Sequence, residues 1–211
     1  MSVQNQFSKY ANEYGKYNII QQIVSKALVR DIKTKPKKIL ELGCGSGQVI
    51  SNINWKFDYY KATDFSNTMC KIHPKSNNLD IFCLDFDSDE FYNNIKDEQY
   101  DMVLSSSAMQ WSKNLDLLVS RLSNVSKEIN AVLFTSNTFK SIRNITNSAS
   151  PILDTNTIKK AFEKYCDCEF EVIKYDLEFN SKKEMFKYIK NSGVSGDSSL
   201  SYKDAKYLYK N

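Results

Sequence analysis

Three of the chain's six glycines, Gly43, Gly45 and Gly47, stand at alternate positions behind the apolar pair Ile39-Leu40, in the stretch K-I-L-E-L-G-C-G-S-G from Lys38 to Gly47. A short apolar strand that ends in Gly-x-Gly-x-Gly and opens into a helix lets the backbone turn sharply and lie against a ligand. Glycine tolerates positive φ and carries no side chain to hold the ligand off. The stretch is expected to be the ligand turn of a parallel α/β sheet.

From Lys38 onward strand-like and helix-like patterns alternate. Strands are expected near 38 to 42, 59 to 64, 79 to 84, 100 to 106, 129 to 136 and 169 to 178. Helices are expected at about 46 to 54, 66 to 73, 113 to 126, 154 to 165 and 182 to 191, with a helical turn near 88 to 95. This alternation implies right-handed βαβ crossovers and an α/β, doubly wound, mostly parallel sheet. Ahead of it, Phe7, Tyr10, Ala11 and Tyr14 share one helical face, and Ile19, Ile20, Ile23, Val24, Ala27 and Leu28 continue the pattern until Pro36 closes the region. The first of these two helices is either an ordinary sheet-packing helix or a lid over the glycine turn. The expected organisation is one domain over 1–211, with an N-terminal helical lid (1–35), a core (36–178) and a C-terminal helical segment (179–211).

At 41% hydrophobic and 13% aromatic, 211 residues can bury one substantial core. No run approaches the roughly 18 apolar residues of a membrane span. Met1 to Tyr14 lacks the basic start and apolar stretch of a secretory signal, so a cytoplasmic protein is expected. The five cysteines (Cys44, Cys70, Cys83, Cys166, Cys168) show no CxxC spacing, and the one histidine, His73, reads as a surface residue at a helix end. Zinc and a disulfide framework are both disfavoured. The net charge of +4 comes from scattered basic residues, which call for neither nucleic acid nor membrane and permit an acidic partner.

In such sheets ligands sit outside the carboxyl ends of the strands, where strand order reverses. The residues in question are the glycines, Asp64-Phe65-Ser66 after the second strand, Asp85-Phe86 after the third and Ser105-Ser106-Ser107 after the fourth. Asp64 follows Gly43 by 21 positions, about the distance at which a carboxylate meets the two hydroxyls of a ribose. A dinucleotide turn needs its third glycine where Gln48 stands, and a Walker-type loop needs a lysine that this turn lacks. A ligand with a ribose and no pyrophosphate fits better.

The segments I-L-E-L-G-C-G-S-G, T-D-F-S and L-D-F, over roughly residues 36 to 136, together resemble the S-adenosylmethionine site of class I methyltransferases. The resemblance implies that Gly43, Gly45 and Gly47 pass under the methionine and ribose, that Glu41 helps place the amino group, and that Asp64 holds the ribose hydroxyls. It further implies that Phe65 and Met69 flank the adenine, Asp85 accepts from its exocyclic amine, Phe86 packs beside it and Ser105 lines the floor near the methionine.

Two more stretches are similar to the malonyl-acyl carrier protein O-methyltransferase family of biotin synthesis. They are F-S-K-Y-A-N-E-Y (Phe7 to Tyr14) and S-S-S-A-M-Q-W (Ser105 to Trp111), echoed by a tail from Glu184 to Val194. This resemblance implies malonyl-acyl carrier protein, an acidic protein, as methyl acceptor. Tyr14 is then a lid residue or a helix-packing aromatic, and Trp111 a pocket wall or a loop anchor. Gln110 is a donor to the acceptor or a loop cap, and Arg143 a partner of the malonyl carboxylate or an exposed arginine. Ser106 departs from that family's asparagine, and no apolar strand follows the helix-like stretch that reaches Asn211, so the sheet is expected to lack its last antiparallel strand.

The implied chemistry needs no general base and no metal, because a carboxyl group titrates near pH ~4 and is already ionised at pH 7. No catalytic acid or base is nominated. Two other readings stay open: another small-molecule methyltransferase of this fold, and a non-enzymatic protein that keeps the cofactor site.

Overall fold

The computed structural model describes residues 18–191 of the 211 in the chain. Tyr14, the helix expected over 5 to 14 and the chain beyond 191 lie outside the described residues. Five strands form one sheet: β1 (Lys38–Leu42), β2 (Tyr59–Thr63), β3 (Leu79–Phe82), β4 (Met102–Ser106) and β5 (Ile129–Val132). Their order is β3-β2-β1-β4-β5 and every pairing is parallel, so the chain folds as the expected doubly wound sheet. Between and around them run α1 (Ile19–Arg30), α2 (Gln48–Asn52), α3 (Asn67–Ile72), α4 (Asp89–Ile95), α5 (Leu115–Ser123), α6 (Lys140–Thr146), α7 (Thr155–Glu163) and α8 (Lys182–Asn191). A 3-10 turn covers Met109–Trp111.

Side chains alternate across each strand, and here both faces are covered. Leu40, Leu42 and Val103 pack with Phe91, Ile95, Leu118, Leu122 and Phe162, the apolar faces of α4, α5 and α7. Ile39, Tyr60, Ala62, Met102 and Leu104 pack on the opposite face with Leu28 and Val29 of α1 and Val49 of α2. That is why β1 and β4 read as near-continuous apolar runs. Helix starts are fixed locally, since the side chains of Ser66, Ser88, Asn114 and Asp154 accept from the first free N–H groups of α3, α4, α5 and α7. Asp101 is a structural turn residue, its Oδ2 accepting from the backbone of Lys37 and Lys38 at 2.7 and 2.8 Å and so pinning the start of β4 to that of β1.

Four expectations are corrected. Residues 169 to 178 form no strand: Val172 and Ile173 are 67% and 56% exposed, and among the described residues no neighbouring strand supplies a ladder. Alternating side chains realise a strand only with a partner. Helix α1 is rotated from its expected face, exposing Ile19 and Ile23 and burying Gln21 and Ser25 beside Ile20, Val24 and Leu28. His73 is buried, not on the surface. Finally, α6 forms where no helix was expected, and β5 stops at Val132.

Candidate active site

Strand order reverses between β1 and β4, so the crevice lies at their carboxyl ends, where the glycine turn begins. Gly43, Gly45 and Gly47 all have positive φ, at 67°, 51° and 86°, which glycine adopts freely. Their surroundings differ. A Cβ at Gly43 would fall 2.1 Å from Ala108 Cβ, so the segment after β4 crosses directly over the turn. A Cβ at Gly47 would fall 2.5 Å from Pro74 Cδ and 3.3 Å from His73 Nε2. At Gly45 it would meet nothing within 4 Å. Gly43 and Gly47 are closed by protein, and Gly45 faces the open cradle.

Asp64 comes to this turn from the end of β2. Its Oδ2 accepts from Gly45 N at 2.9 Å and its Oδ1 from Ser66 N at 2.8 Å. Burial pushes its carboxyl up to about 6, against the pull of those two N–H groups. Each oxygen keeps a second lone pair, the capacity a ribose diol requires. We expect Asp64→Asn to lose about 1–3 kcal/mol of stability in urea unfolding, because an amide accepts through one oxygen and aims its own N–H at the other backbone donor. Cofactor affinity should fall with it. A variant as stable and as tightly bound as the parent would show that this carboxylate does neither job.

Glu41 lies on the α1 face of β1, 1% exposed, with Oε2 accepting from Tyr60 Oη at 2.7 Å. Burial pushes its carboxyl up to about 8, the Tyr60 hydrogen bond opposes this, and the charge of Asp64 adds to it. Glu41 lines a pocket of about 30 Å³ with Gln21, Gly43, Gly45, Ser46 and Ser106. Turn backbone and two buried carboxyl groups, Asp64 and Glu41, thus come together at the end of β1.

The other candidate residues divide. Met69 is buried at the start of α3 and Phe65 half-buried beside it. Ser105 is fully buried and spends its hydroxyl on Leu42 O at 3.0 Å, tying β4 to β1. Phe86 packs in the α4/α5 core, while Asp85 is exposed with Lys113 Nζ at 3.4 Å. Gln110 is buried and donates from Nε2 to Ser107 O at 2.7 Å; Trp111 is half-buried at the end of the 3-10 turn. Arg143, on α6, donates from Nε to Thr138 O and from Nη1 to Ala149 O, so part of its guanidinium serves its own loop. Ser106, expected at the crevice from its place after β4, does line the pocket, whereas sequence reasoning missed Gln21. The signal for Gln21 was present, in polar Gln21 and Ser25 spaced four apart within the apolar face of α1.

A family model described as a methyltransferase domain matches residues 40–133, the span from β1 through β5. The malonyl-[acyl-carrier protein] O-methyltransferase of Haemophilus influenzae is 26% identical over 208 residues, covering 92% of this chain and 77% of its own. That of Bacillus cereus is 28% identical over 130 residues, 57% of this chain and 46% of its own, so the chain spans less than half of that relative. Among solved structures, a chain from the complex of the Haloferax volcanii Trm112 methyltransferase activator with a methyltransferase superposes with a TM-score of 0.68 at 14% identity, covering 92% of this chain and 94% of its own. The last likeness is one of fold. With the sheet order, the glycine turn and the acid of β2 in place, residues 40–133 match a methyltransferase domain on a class I methyltransferase fold, and the cofactor this match supports is S-adenosylmethionine.

Proposed function

We propose that the chain methylates the free carboxylate of malonyl-acyl carrier protein, the step that opens pimeloyl synthesis for biotin. The observation that carries the reading is the closeness of Ala108 to Gly43, which sets the Ala108-x-Gln110-Trp111 segment against the cofactor turn. The similarity to the Haemophilus enzyme along 92% of the chain supports it. In this reading Gly43, Gly45, Gly47, Glu41, Asp64, Phe65 and Met69 surround the cofactor, with Asp85, Phe86 and Ser105 behind them. Trp111, Arg143 and Tyr14 are assigned to the acceptor, and Gln110 to holding the loop beside it through its hydrogen bond to Ser107 O.

When bound, S-adenosylmethionine supplies a methyl group on a positively charged sulfur. The acceptor carboxylate arrives ionised, so the chain's task is to fix its direction of approach and keep water out. In favourable systems such orientation lowers a barrier by up to roughly 7–11 kcal/mol. The purified chain, incubated with the cofactor and malonyl-carrier protein, should yield carrier protein heavier by one methyl group in intact-mass spectrometry, with the ester cleaved by mild base. A folded, cofactor-binding sample that leaves malonyl-carrier protein unchanged would reject the reading.

A further inference from the structure

Three buried polar atoms lacking a hydrogen-bond partner cluster within five residues at the carboxyl end of β4: Ser106 Oγ, Ser107 Oγ and Gln110 Oε1. A buried hydroxyl without a partner is costly and uncommon, so three together call for an explanation. The backbone beneath them is strained. Ser107 has φ 61°, the left-handed region that a serine rarely adopts, and it is one of three non-glycine residues there among the described residues. Two hydrogen bonds hold it: Ser107 N donates to Val132 O at 2.8 Å, and its carbonyl accepts from Gln110 Nε2 at 2.7 Å. Strain over-determined in this way, next to unmet polar atoms, marks a place prepared for something else.

Location says what that is. Ser106 shares the pocket with Glu41, Gly43 and Gly45, and Ala108 packs on Gly43, so the cluster lies beside the turn that carries the methyl donor. A methyl acceptor has to reach that same spot. Two hydroxyls can each donate one hydrogen bond to an anionic oxygen, whereas Gln110 Oε1 only accepts and is no contact for a carboxylate. We infer that the hydroxyls of Ser106 and Ser107 bind the carboxylate of the methyl acceptor, and that Gln110 is a positioning residue that holds Ser107 in its left-handed conformation. This rests on the acceptor being a carboxylate, as proposed above, and adds the groups that would grip it.

The test uses the full chain with Ser106→Ala, Ser107→Ala, the double variant and Gln110→Ala. Removing an unmet hydroxyl should leave thermal stability unchanged or raised, and the affinity for the demethylated cofactor within about twofold by calorimetry. KM for malonyl-carrier protein should rise about tenfold for each hydroxyl removed, with kcat changing far less, since a tenfold change is one lost hydrogen bond of ordinary strength. Gln110→Ala should raise KM similarly, with Gln110→Glu, which keeps no donor, failing to rescue it. A second arm measures binding of malonate to the cofactor-loaded chain by NMR titration, independent of turnover. Malonate binding that weakens in the serine variants supports the clamp even if carrier protein is no substrate. Unchanged KM and unchanged malonate binding, no malonate binding by the parent, or serine variants that lose stability and cofactor affinity together, each overturn it.

Discussion

Gly45→Ala is expected to leave the chain folded and weaken cofactor binding, while Gly43→Ala is expected to cost several kcal/mol of stability. The added methyl at Gly45 meets no atom within 4 Å, so its penalty is the left-handed conformation alone, roughly 1–2 kcal/mol. It stands in the space the ligand would occupy and beside the N–H that Asp64 holds, so affinity should drop by at least about tenfold, or ~1.4 kcal/mol. At Gly43 the same methyl lies 2.1 Å from Ala108 Cβ, and the segment that carries Gln110 and Trp111 has to move. Overpacking adds about 1–3 kcal/mol to the backbone strain, a large part of the ~5–15 kcal/mol that holds a domain together. Urea unfolding and calorimetry with demethylated cofactor separate the two outcomes. Full affinity in Gly45→Ala would take the turn out of contact with the ligand, and a parental midpoint in Gly43→Ala would contradict the packing over it.

The second large effect is on pH dependence. An ordinary glutamate in the unfolded chain loses its proton near pH ~4.3, whereas Glu41 in the folded chain is pushed up to about 8. Between these values the folded state binds the extra proton, so stability falls as pH rises. The loss is about 1.4 kcal/mol per unit, with a ceiling of ~4–5 kcal/mol over the window. Asp64, pushed up to about 6, adds to the lower part of the window with the same sign. Glu41→Gln keeps an acceptor for Tyr60 Oη and carries no charge at any pH. It should therefore be more stable than the parent at pH 8 by several kcal/mol, and its stability should be flatter between pH 6 and 8. Because the proposed ligand brings positive charge beside Glu41, its affinity for the parent should rise with pH over the same interval, and this rise should vanish in the variant. Unfolding free energies that track each other for both proteins from pH 6 to 8 would refute the assignment.

Where local pattern and tertiary context agree, the sequence is a good guide. The five strands of the sheet, its parallel order and the place of Gly45 beside Asp64 all follow from apolar runs, glycine spacing and the position of one acid. The failures have physical reasons. Ile173, Tyr175 and Leu177 alternate as a strand should, but a strand exists only through its neighbour, and these side chains are exposed. Helix α1 offered two overlapping apolar faces, and it packs through the one that carries Gln21 and Ser25: Gln21 reaches the pocket, and Ser25 Oγ donates to Gln22 O within the helix. Ser106 and Ser107 were visible as hydroxyls after β4; that they go unmet, and that one of them is strained, is a property of three dimensions only.

The tight fit of Pro74 and His73 around Gly47 ties together two stretches of sequence far apart along the chain. Evolutionary drift at either position is therefore constrained by the other. A larger residue at 47 is tolerable only when the ring at 74 gives way, so the cofactor turn inherits its permitted shapes partly from the connection leading into β3.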